Sequence, residues 1–211
     1  MTFDVAINPK TGERAVVRQH ATGENGYLAV GDLYASPGAA VVGEHLHPYS
    51  AETFTVVRGR LGLSIDGRQQ ESGPGGRFTV PVGVSHDWWN VGEETAFVIV
   101  EVANAPRFEE MIRNLFFLAA DGRTDQKGRP GLLQAALLAR EFDDTVRFTH
   151  PPRAVQRVVF TALAPLARLL GYRGSYPGYR TRVSEVVDAL EELPEEVAVA
   201  LPAGVPGATR H

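Results

Sequence analysis

The sequence predicts a mainly β domain, a barrel or sandwich, followed by an α-helical region. Over residues 1–104, roughly eight short apolar segments recur about every 8–12 residues with turn signals between them, which is typical of such folds. At residues 105–106 the apolar spacing changes from about two, the repeat of a strand, to about 3.6, the repeat of a helix. We therefore expect a β-barrel with N-terminal strands over 1–104, a helical extension over 105–198 and a disordered tail over 199–211.

The composition is that of an ordinary globular protein. Of its 211 residues 44% are apolar and 22% are charged, and the formal net charge of -4 gives no indication of nucleic-acid binding. The absence of cysteine excludes disulfides, thiolate metal ligands and a cysteine nucleophile. The first residues lack the basic start and apolar core of a signal peptide, and no segment reaches the ~20 apolar residues of a spanning helix. We therefore expect a cytoplasmic protein.

Alternating apolar residues predict the strands of the first domain. Residues 15–18 fit an edge strand, and residues 27–34 fit a longer strand. Residues 61–65 form a strand that turns at Asp66-Gly67, a dipeptide typical of tight hairpins. Residues 95–102 are nearly all apolar, which predicts a strand that is buried on both faces.

Three histidines and one glutamate stand out among these strands. His45 and His47 are two residues apart and therefore point to the same face of a strand. Pro48 ends that strand because it has no N–H to donate, Glu52 opens the next strand, and His86 opens a later one. Three imidazoles and a carboxylate form a ligand set that suits Fe, Mn, Ni, Cu or Zn. Four protein ligands on an octahedral metal leave two adjacent positions for water, substrate or dioxygen.

The stretch that contains these residues resembles the cupin superfamily, in particular its compact bacterial single-domain form. The resemblance extends over residues 25–103 and depends on two motifs. The first motif is matched by His45, His47, Glu52 and Gly59, and the second by Gly75, Pro81, Gly83, His86 and Asn90. The first motif departs from the family pattern at its first glycine, Gly38, which has six rather than five residues between it and His45.

The resemblance implies a jelly-roll barrel, also called a double-stranded β-helix, with one divalent transition metal ion inside it. It implies that His45, His47, Glu52 and His86 are the metal ligands and that Glu52 can also act as a catalytic base. Fe, Mn or Ni is the favoured metal and Zn or Cu an alternative, since the sequence does not select among them. Cupins commonly dimerise through barrel edges, so we also expect a homodimer.

A pocket for a small-molecule substrate is expected beside the metal, at the mouth of the barrel. Phe54 and Val56 share the strand face of Glu52, and Trp88 shares the face of the last ligand. Tyr49 lies in the loop between the ligands of the first motif. These side chains predict an apolar, aromatic-walled cavity, and the alternative is that the inward aromatic residues are simply barrel core.

The apolar spacing predicts three helices and a shorter fourth helix. The first ends near Asp121-Gly122, the second covers 131–142, the third covers 153–170 and the short one covers 183–193. Pro165 is expected to kink the third helix, because proline lacks the N–H of the helical hydrogen bond.

The third helix combines a wide apolar face with a narrow stripe that contains three arginines. The stripe consists of Arg153, Arg157, Thr161, Ala164 and Arg168. Residues 145–184 contain seven arginines and no acid, whereas residues 185–196 contain six acids and no base. In one interpretation the apolar face packs under the barrel or in a dimer, and the basic and acidic segments pair. In the other, residues 153–170 make a peripheral contact with an anionic membrane.

Together these features predict a metal-dependent enzyme that acts on a small organic molecule. The favoured hypothesis is a mononuclear non-haem dioxygenase. A non-redox isomerase, cyclase or lyase is the nearest alternative, because aromatic polyketide cyclases include cupins of this kind. The alternative outside enzymology is a non-catalytic metal- or ligand-binding module, with the helical half as its partner-binding surface.

Overall fold

Two antiparallel β-sheets and four α-helices make up the computed structural model, which describes residues 2–23, 26–41, 43–202 and 205–206. The strands are β1 (Phe3–Asn8), β2 (Glu13–Gly23), β3 (Gly26–Ala35), β4 (His45–Leu46), β5 (Glu52–Arg58), β6 (Leu61–Ile65), β7 (Arg68–Ser72), β8 (Arg77–Val80), β9 (His86–Asn90), β10 (Ala96–Ala103), β11 (Arg147–Phe148) and β12 (Glu185–Val187). The helices are α1 (Phe108–Ala120), α2 (Leu132–Glu141), α3 (Arg153–Leu169) and α4 (Glu195–Ala200). The prediction of a mainly β fold with C-terminal helices is confirmed.

The first sheet has the strand order β12-β1-β2-β3-β10-β5-β8, and the second has the order β11-β4-β9-β6-β7. Strand β2 therefore lies between β1 and β3, and the expectation that residues 15–18 form an edge strand is wrong. The reason is that the preceding residues form β1 and cover this edge, with Val5 opposite Val16.

An apolar core lies between the two sheets. Phe54 and Val56 of β5 and Val98 of β10 point inward from the first sheet. They meet Leu61 and Leu63 of β6 from the second sheet, and all five side chains are buried. Burial of each such side chain stabilises the fold by about 1.5–3 kcal/mol.

The prediction that residues 95–102 form a strand buried on both faces is confirmed for β10. Val98 points into the core between the sheets, whereas Phe97 and Ile99 are buried on the opposite side. On that side the last segment of the chain covers the sheet and contributes Leu193 to the cluster.

A buried ion pair fastens this last segment to the first sheet. Arg18 of β2 and Asp32 of β3 form the pair, and both side chains are almost inaccessible to water. The Arg18 guanidinium also donates to the carbonyl oxygens of Glu191 at 2.7 Å and Pro206 at 2.9 Å. Burial raises the pKa of Asp32 to about 6 even though the neighbouring Arg18 acts to lower it.

The expected disordered tail begins at residue 199. Within the described part of that tail, Leu201 and Val205 are buried in the cluster on the outer face of the first sheet. Residues 203–204 and 207–211 lie outside the described residues, so disorder there stays a prediction.

The first three helices lie within one or two residues of their predicted bounds. The predicted helix over 183–193 is wrong, because strand β12 occupies this stretch and pairs with β1. The free edge of β1 offers unpaired backbone groups, and the Ser184 N–H donates to the Val5 carbonyl at 2.8 Å just before the strand. Pairing with that edge satisfies more backbone groups than an isolated turn of helix would.

Helix α3 does not pack its wide apolar face under the barrel. Its buried residues are Gln156, Ala164 and Ala167, while Val158 and Leu169 are 71% and 84% exposed. Within the described ranges, every helix is too short or too polar to serve as a membrane-spanning segment.

The predicted pairing between the basic and acidic segments is also wrong for the described residues. Arg153 and Arg182 pair with Asp143 and Asp121, which precede the basic segment, and Glu191 of the acidic segment pairs with Arg58 of the barrel. The two segments therefore have separate partners, because they pack on different parts of the fold.

Glu13 at the start of β2 should make stability depend on pH. Burial raises the pKa of its carboxyl from 4.5 to about 6, against hydrogen bonds from Thr11 and Asn8 that lower it. The folded protein therefore holds this proton more tightly than the unfolded chain does. The free energy of unfolding should fall as the pH rises from 4.5 to about 6. In the wild type the Glu13 proton should contribute up to ~2 kcal/mol to the free energy of unfolding at low pH, and this contribution should be lost at high pH. We expect Glu13→Gln to remove this pH dependence, measured by urea unfolding over a pH series.

The exposed Glu71, which pairs with Arg60 on the surface, gives the matched control for this substitution. Glu71→Gln should leave the pH dependence of the unfolding free energy parallel to that of the wild type. Parallel curves for Glu13→Gln as well would contradict the prediction.

Candidate metal centre

The structure brings the four expected ligands together inside the barrel. One side-chain nitrogen from each of His45, His47 and His86 and one carboxylate oxygen of Glu52 all lie within 4.8 Å of one another. All four residues are buried, with at most 6% of the residue surface exposed. Three imidazoles and a carboxylate at this spacing can surround a single metal ion.

Strand pairing explains how residues distant in sequence meet here. His45 of β4 lies directly opposite His86 of β9 in the second sheet. The His47 carbonyl just beyond β4 accepts a hydrogen bond from the Gly83 N–H at 2.9 Å, which fixes the loop that leads into β9. Glu52 is the first residue of β5 in the opposite sheet and points inward with its neighbour Phe54. The ligands thus come from both sheets.

Backbone carbonyls determine which nitrogen of each imidazole faces the centre. A carbonyl oxygen can only accept, so the Nδ1 atom of each histidine carries the proton and donates it. The acceptors are Gly43 for His45 at 3.1 Å, Thr145 for His47 at 2.6 Å and Val84 for His86 at 3.4 Å. Each Nε2 atom is then left with a free lone pair, as a metal ligand requires.

Glu52 sits at the point where the imidazoles converge. Its Oε2 atom is 2.8 Å from Nε2 of His86 and 3.2 Å from Nε2 of His47. Three neutral imidazole nitrogens and one anionic oxygen are a donor set that Fe, Mn, Ni, Cu and Zn all accept. The residues present therefore fit a single divalent transition metal.

The electrostatics of the cluster favour a neutral His45 and a charged Glu52, and they shift His47 towards its protonated form. Burial, together with the neighbouring His86 and His47, lowers the pKa of His45 to about 3, so this imidazole is neutral. Burial acts to raise the pKa of Glu52, but the two imidazoles beside it hold this pKa below its usual range, so the carboxylate is charged. Burial lowers the pKa of His47, and the Glu52 charge more than offsets this, so its net shift is upward.

An apolar cavity of about 170 Å³ opens beside the cluster. His45 and Glu52 form part of its wall, together with Phe54 and Trp88 of the barrel. Helix α1 forms another wall of the cavity through Phe108, Met111, Ile112, Leu115 and Phe116. The helical extension therefore completes the cavity that the barrel begins.

The four expected pocket residues have different places in the structure. Phe54 and Trp88 line the cavity. Val56 is fully buried in the core between the sheets, away from the cavity wall. Tyr49 is 60% exposed and its ring lies 5.8 Å from the Arg147 guanidinium carbon, so it is not part of the wall. Its loop turns outward between two inward ligands.

Sequence reasoning did not identify which residues of the helical extension contribute to this site. Strand β11 pairs with β4 so that Phe148 lies opposite His45, and the Phe148 side chain lines the cavity. The Phe108 ring at the start of α1 lies 5.6 Å from the His47 ring, and the Thr145 carbonyl holds the Nδ1 atom of the same histidine. The only signal in the sequence was the apolar face of α1, which does not reveal what it packs against.

The comparison with protein families supports a cupin domain over part of the chain. Residues 31–102 match the family model described as "Cupin_2: Cupin domain". The resemblance expected from the two motifs is thereby confirmed, with a helical region that follows the matched segment.

Particular relatives cover only part of the chain. "Polyketide synthase CurC" from Streptomyces cyaneus is 34% identical over 62 residues, which is 29% of this chain and 40% of that protein. This chain therefore matches less than half the length of that curated relative.

Solved structures with a similar arrangement include KdgF from Halomonas sp., with 17% identity, a TM-score of 0.40, and coverage of 45% of this chain and 82% of that one. An RmlC-like cupin from Shewanella frigidimarina has 18% identity, a TM-score of 0.40, and coverage of 49% and 86%.

Proposed function

We propose that this protein is a metal-dependent enzyme that acts on a small, largely apolar organic molecule, and that it is a mononuclear non-haem dioxygenase. The observation that supports this proposal is the buried cluster of three imidazoles and one carboxylate on the wall of an apolar cavity. Buried ligand groups beside an apolar cavity are costly for stability alone, which favours a functional role.

His45, His47, Glu52 and His86 would hold the metal ion, with Fe, Mn or Ni favoured and Zn or Cu as alternatives, and the bound ion would supply a Lewis acid or, when it is redox-active, a redox centre. The protein residues contribute position and environment. The three backbone carbonyls fix the imidazole rings, so that the Nε2 lone pairs converge without reorganisation. The apolar wall of Phe54, Trp88 and Met111 excludes water and orients an apolar substrate.

Glu52 has a second role in this proposal. Its charged carboxylate is a proton acceptor at the cavity wall, and one of its oxygens already lies among the imidazole nitrogens. A substrate C–H or O–H group that enters the cavity can transfer its proton to this carboxylate.

Oxygen consumption tests the dioxygenase. Protein loaded separately with Fe, Mn and Ni is given diketone, flavonol and catechol substrates in an oxygen-electrode cell, beside His86→Ala loaded in the same way. We expect substrate-dependent oxygen uptake with at least one metal and none in the variant. Product formation at an unchanged rate under argon would contradict the dioxygenase.

A second candidate is a non-redox cyclase, isomerase or lyase, in which the metal acts as a Lewis acid only. The name of the relative from Streptomyces cyaneus, a polyketide synthase, favours a substrate with several carbonyl groups. Anaerobic turnover of a linear poly-β-ketone analogue, followed by mass spectrometry, tests this candidate. Full metal loading without turnover in either assay would favour the non-catalytic binding module.

Filling the cavity should strongly reduce turnover and leave the metal in place. Val100 of β10 lines the cavity and lies opposite Phe54 in the strand register. We expect Val100→Phe to raise KM or lower kcat/KM by about tenfold or more, because a small cavity cannot hold both the added ring and a substrate. Metal content by atomic emission should equal that of the wild type.

Val100→Ile is the matched control, because it adds one methylene and should keep most of the activity. Equal activity of Val100→Phe and the wild type would show that the substrate binds elsewhere.

A further inference from the structure

Helix α3 is attached to the protein by its small side chains. Ala164 and Ala167 are buried against Leu137 of helix α2, and Gln156 is the third buried residue of α3. Small residues let two helices approach closely. The consequence is that the large apolar residues of α3 lie on the side that faces away from α2.

These large residues form one exposed surface, here called the α3 face. It consists of Val155, Val158, Leu166, Leu169 and Leu170. At about 100° per residue their positions fall within an arc of about 120° on the helix. A contiguous exposed apolar surface of this kind is uncommon on a monomer and marks an interaction site.

Two arginines lie between the α3 face and the side of the helix that packs on α2. Arg157 and Arg168 are exposed, lie about 20° apart around the helix, and are about 80–100° from Val158 at the edge of the α3 face. In the described part of the chain neither arginine has an acidic partner, whereas Arg153 pairs with Asp143. Helix α3 itself contains no Asp or Glu. The surface is therefore apolar and positively charged together.

We propose that the α3 face binds the surface of an anionic lipid bilayer. A helix that lies in the plane of the membrane places its apolar side chains among the acyl chains and its arginines at the phosphates. Charge complementarity favours this occupant over a second copy of the same helix, since α3 offers the two arginines no carboxylate. Attachment at one face of a 17-residue helix needs no spanning segment.

Helix α3 is also connected to the metal centre by a short path. The buried Gln156 amide donates to the carbonyl oxygens of Phe148 at 2.8 Å and Pro151 at 2.6 Å. Phe148 in turn pairs with His45. Lipid binding would hold the cavity close to apolar molecules dissolved in the bilayer. This consequence rests on the proposed function, whereas the lipid contact itself does not.

Vesicle co-sedimentation of the full-length chain tests the proposal. The vesicles contain phosphatidylcholine with phosphatidylglycerol, or phosphatidylcholine alone, at low and at high salt. We expect the protein to sediment with the anionic vesicles at low salt and to remain in solution with the neutral ones. Val158→Gln with Leu169→Gln, and separately Arg157→Gln with Arg168→Gln, should each lower the partition coefficient by about tenfold or more.

The exposed Val199 on helix α4 and the exposed Arg68 on β7 provide matched controls. Val199→Gln and Arg68→Gln should leave vesicle binding unchanged. Failure of the wild type to bind anionic vesicles at low salt would overturn the proposal, as would full binding by the two double variants. A lipid-free dimer that Val158→Gln with Leu169→Gln converts to a monomer, measured by light scattering, would assign the α3 face to a second copy instead. None of these results depends on enzymatic activity.

Discussion

We expect the wild type to take up one divalent metal ion per chain and His86→Ala to take up none. His86 is fully buried, lies opposite His45 and is 2.8 Å from the Glu52 carboxylate, so it supplies one of four converging donors. Loss of a ligand should cost more than the roughly 10–100-fold in affinity that loss of an outer hydrogen-bond partner costs. The measurement is metal content by atomic emission after reconstitution, together with titration of the apoprotein.

Thermal unfolding gives a second readout of the same prediction. A metal at 100 times its Kd stabilises the folded state by about 2.7 kcal/mol, and the variant should lose this increment. Glu52→Gln has nearly the shape of the wild-type residue and should also lower the affinity, which separates loss of a ligand from failure to fold. His20→Ala is the control, because His20 is half-exposed, pairs with Glu109 and lies outside the cluster. Equal metal uptake by wild type, His86→Ala and Glu52→Gln would refute the metal centre.

Replacing Arg18 with methionine should cause the largest loss of stability of the variants considered. The change leaves the Asp32 carboxylate buried without its partner and removes the hydrogen bonds to the carbonyls of Glu191 and Pro206. Breaking a buried pair on one side costs about 3–5 kcal/mol. Because Asp32 has a pKa of about 6 even with Arg18 present, protonation should reduce the loss at acidic pH. Urea unfolding at neutral and acidic pH measures both effects.

A double variant and an exposed pair complete this experiment. Arg18→Met with Asp32→Leu removes both charges and should recover most of the lost stability, which a double-mutant cycle will quantify. Arg58→Met breaks the exposed pair with Glu191 and should cost at most about 1 kcal/mol. Limited proteolysis of Arg18→Met should cut first in the segment around Glu191. A cost below that of Arg58→Met would contradict a structural role for the buried pair.

Local patterns in the sequence predicted the β-fold and a possible metal site, and the resemblance to the cupin motifs predicted the ligand set. The two-residue repeat that places His45 and His47 on one face is a property of any strand. Pro48 ends the first ligand strand for a reason that is equally local. Local patterns failed for residues 183–193, whose acidic and apolar residues fit a helix. Part of this segment forms strand β12 instead, because it pairs with the open edge of β1.

The pocket shows where local reasoning ends. Strand alternation placed Phe54, Val56 and Trp88 on inward faces, but a position on an inward face does not distinguish cavity wall from core. Val56 lies deeper between the sheets, whereas Phe54 and Trp88 reach the cavity. Helix α1, which supplies another wall, has the same amphipathic pattern as any helix that packs on a sheet.

By itself, the sequence determined the change from strands to helices and the ends of the first three helices, because these depend on residue type and short-range spacing, and the motif resemblance added the residues that can bind a metal. Only the tertiary structure decided that the Thr145 carbonyl orients His47, 98 residues earlier in the chain, since any residue can offer a carbonyl. It also decided that α3 packs through Ala164 and Ala167 and leaves Val158 and Leu169 exposed. Which face of an amphipathic helix is covered depends on the shape of its neighbour, and that shape exists only after the chain has folded.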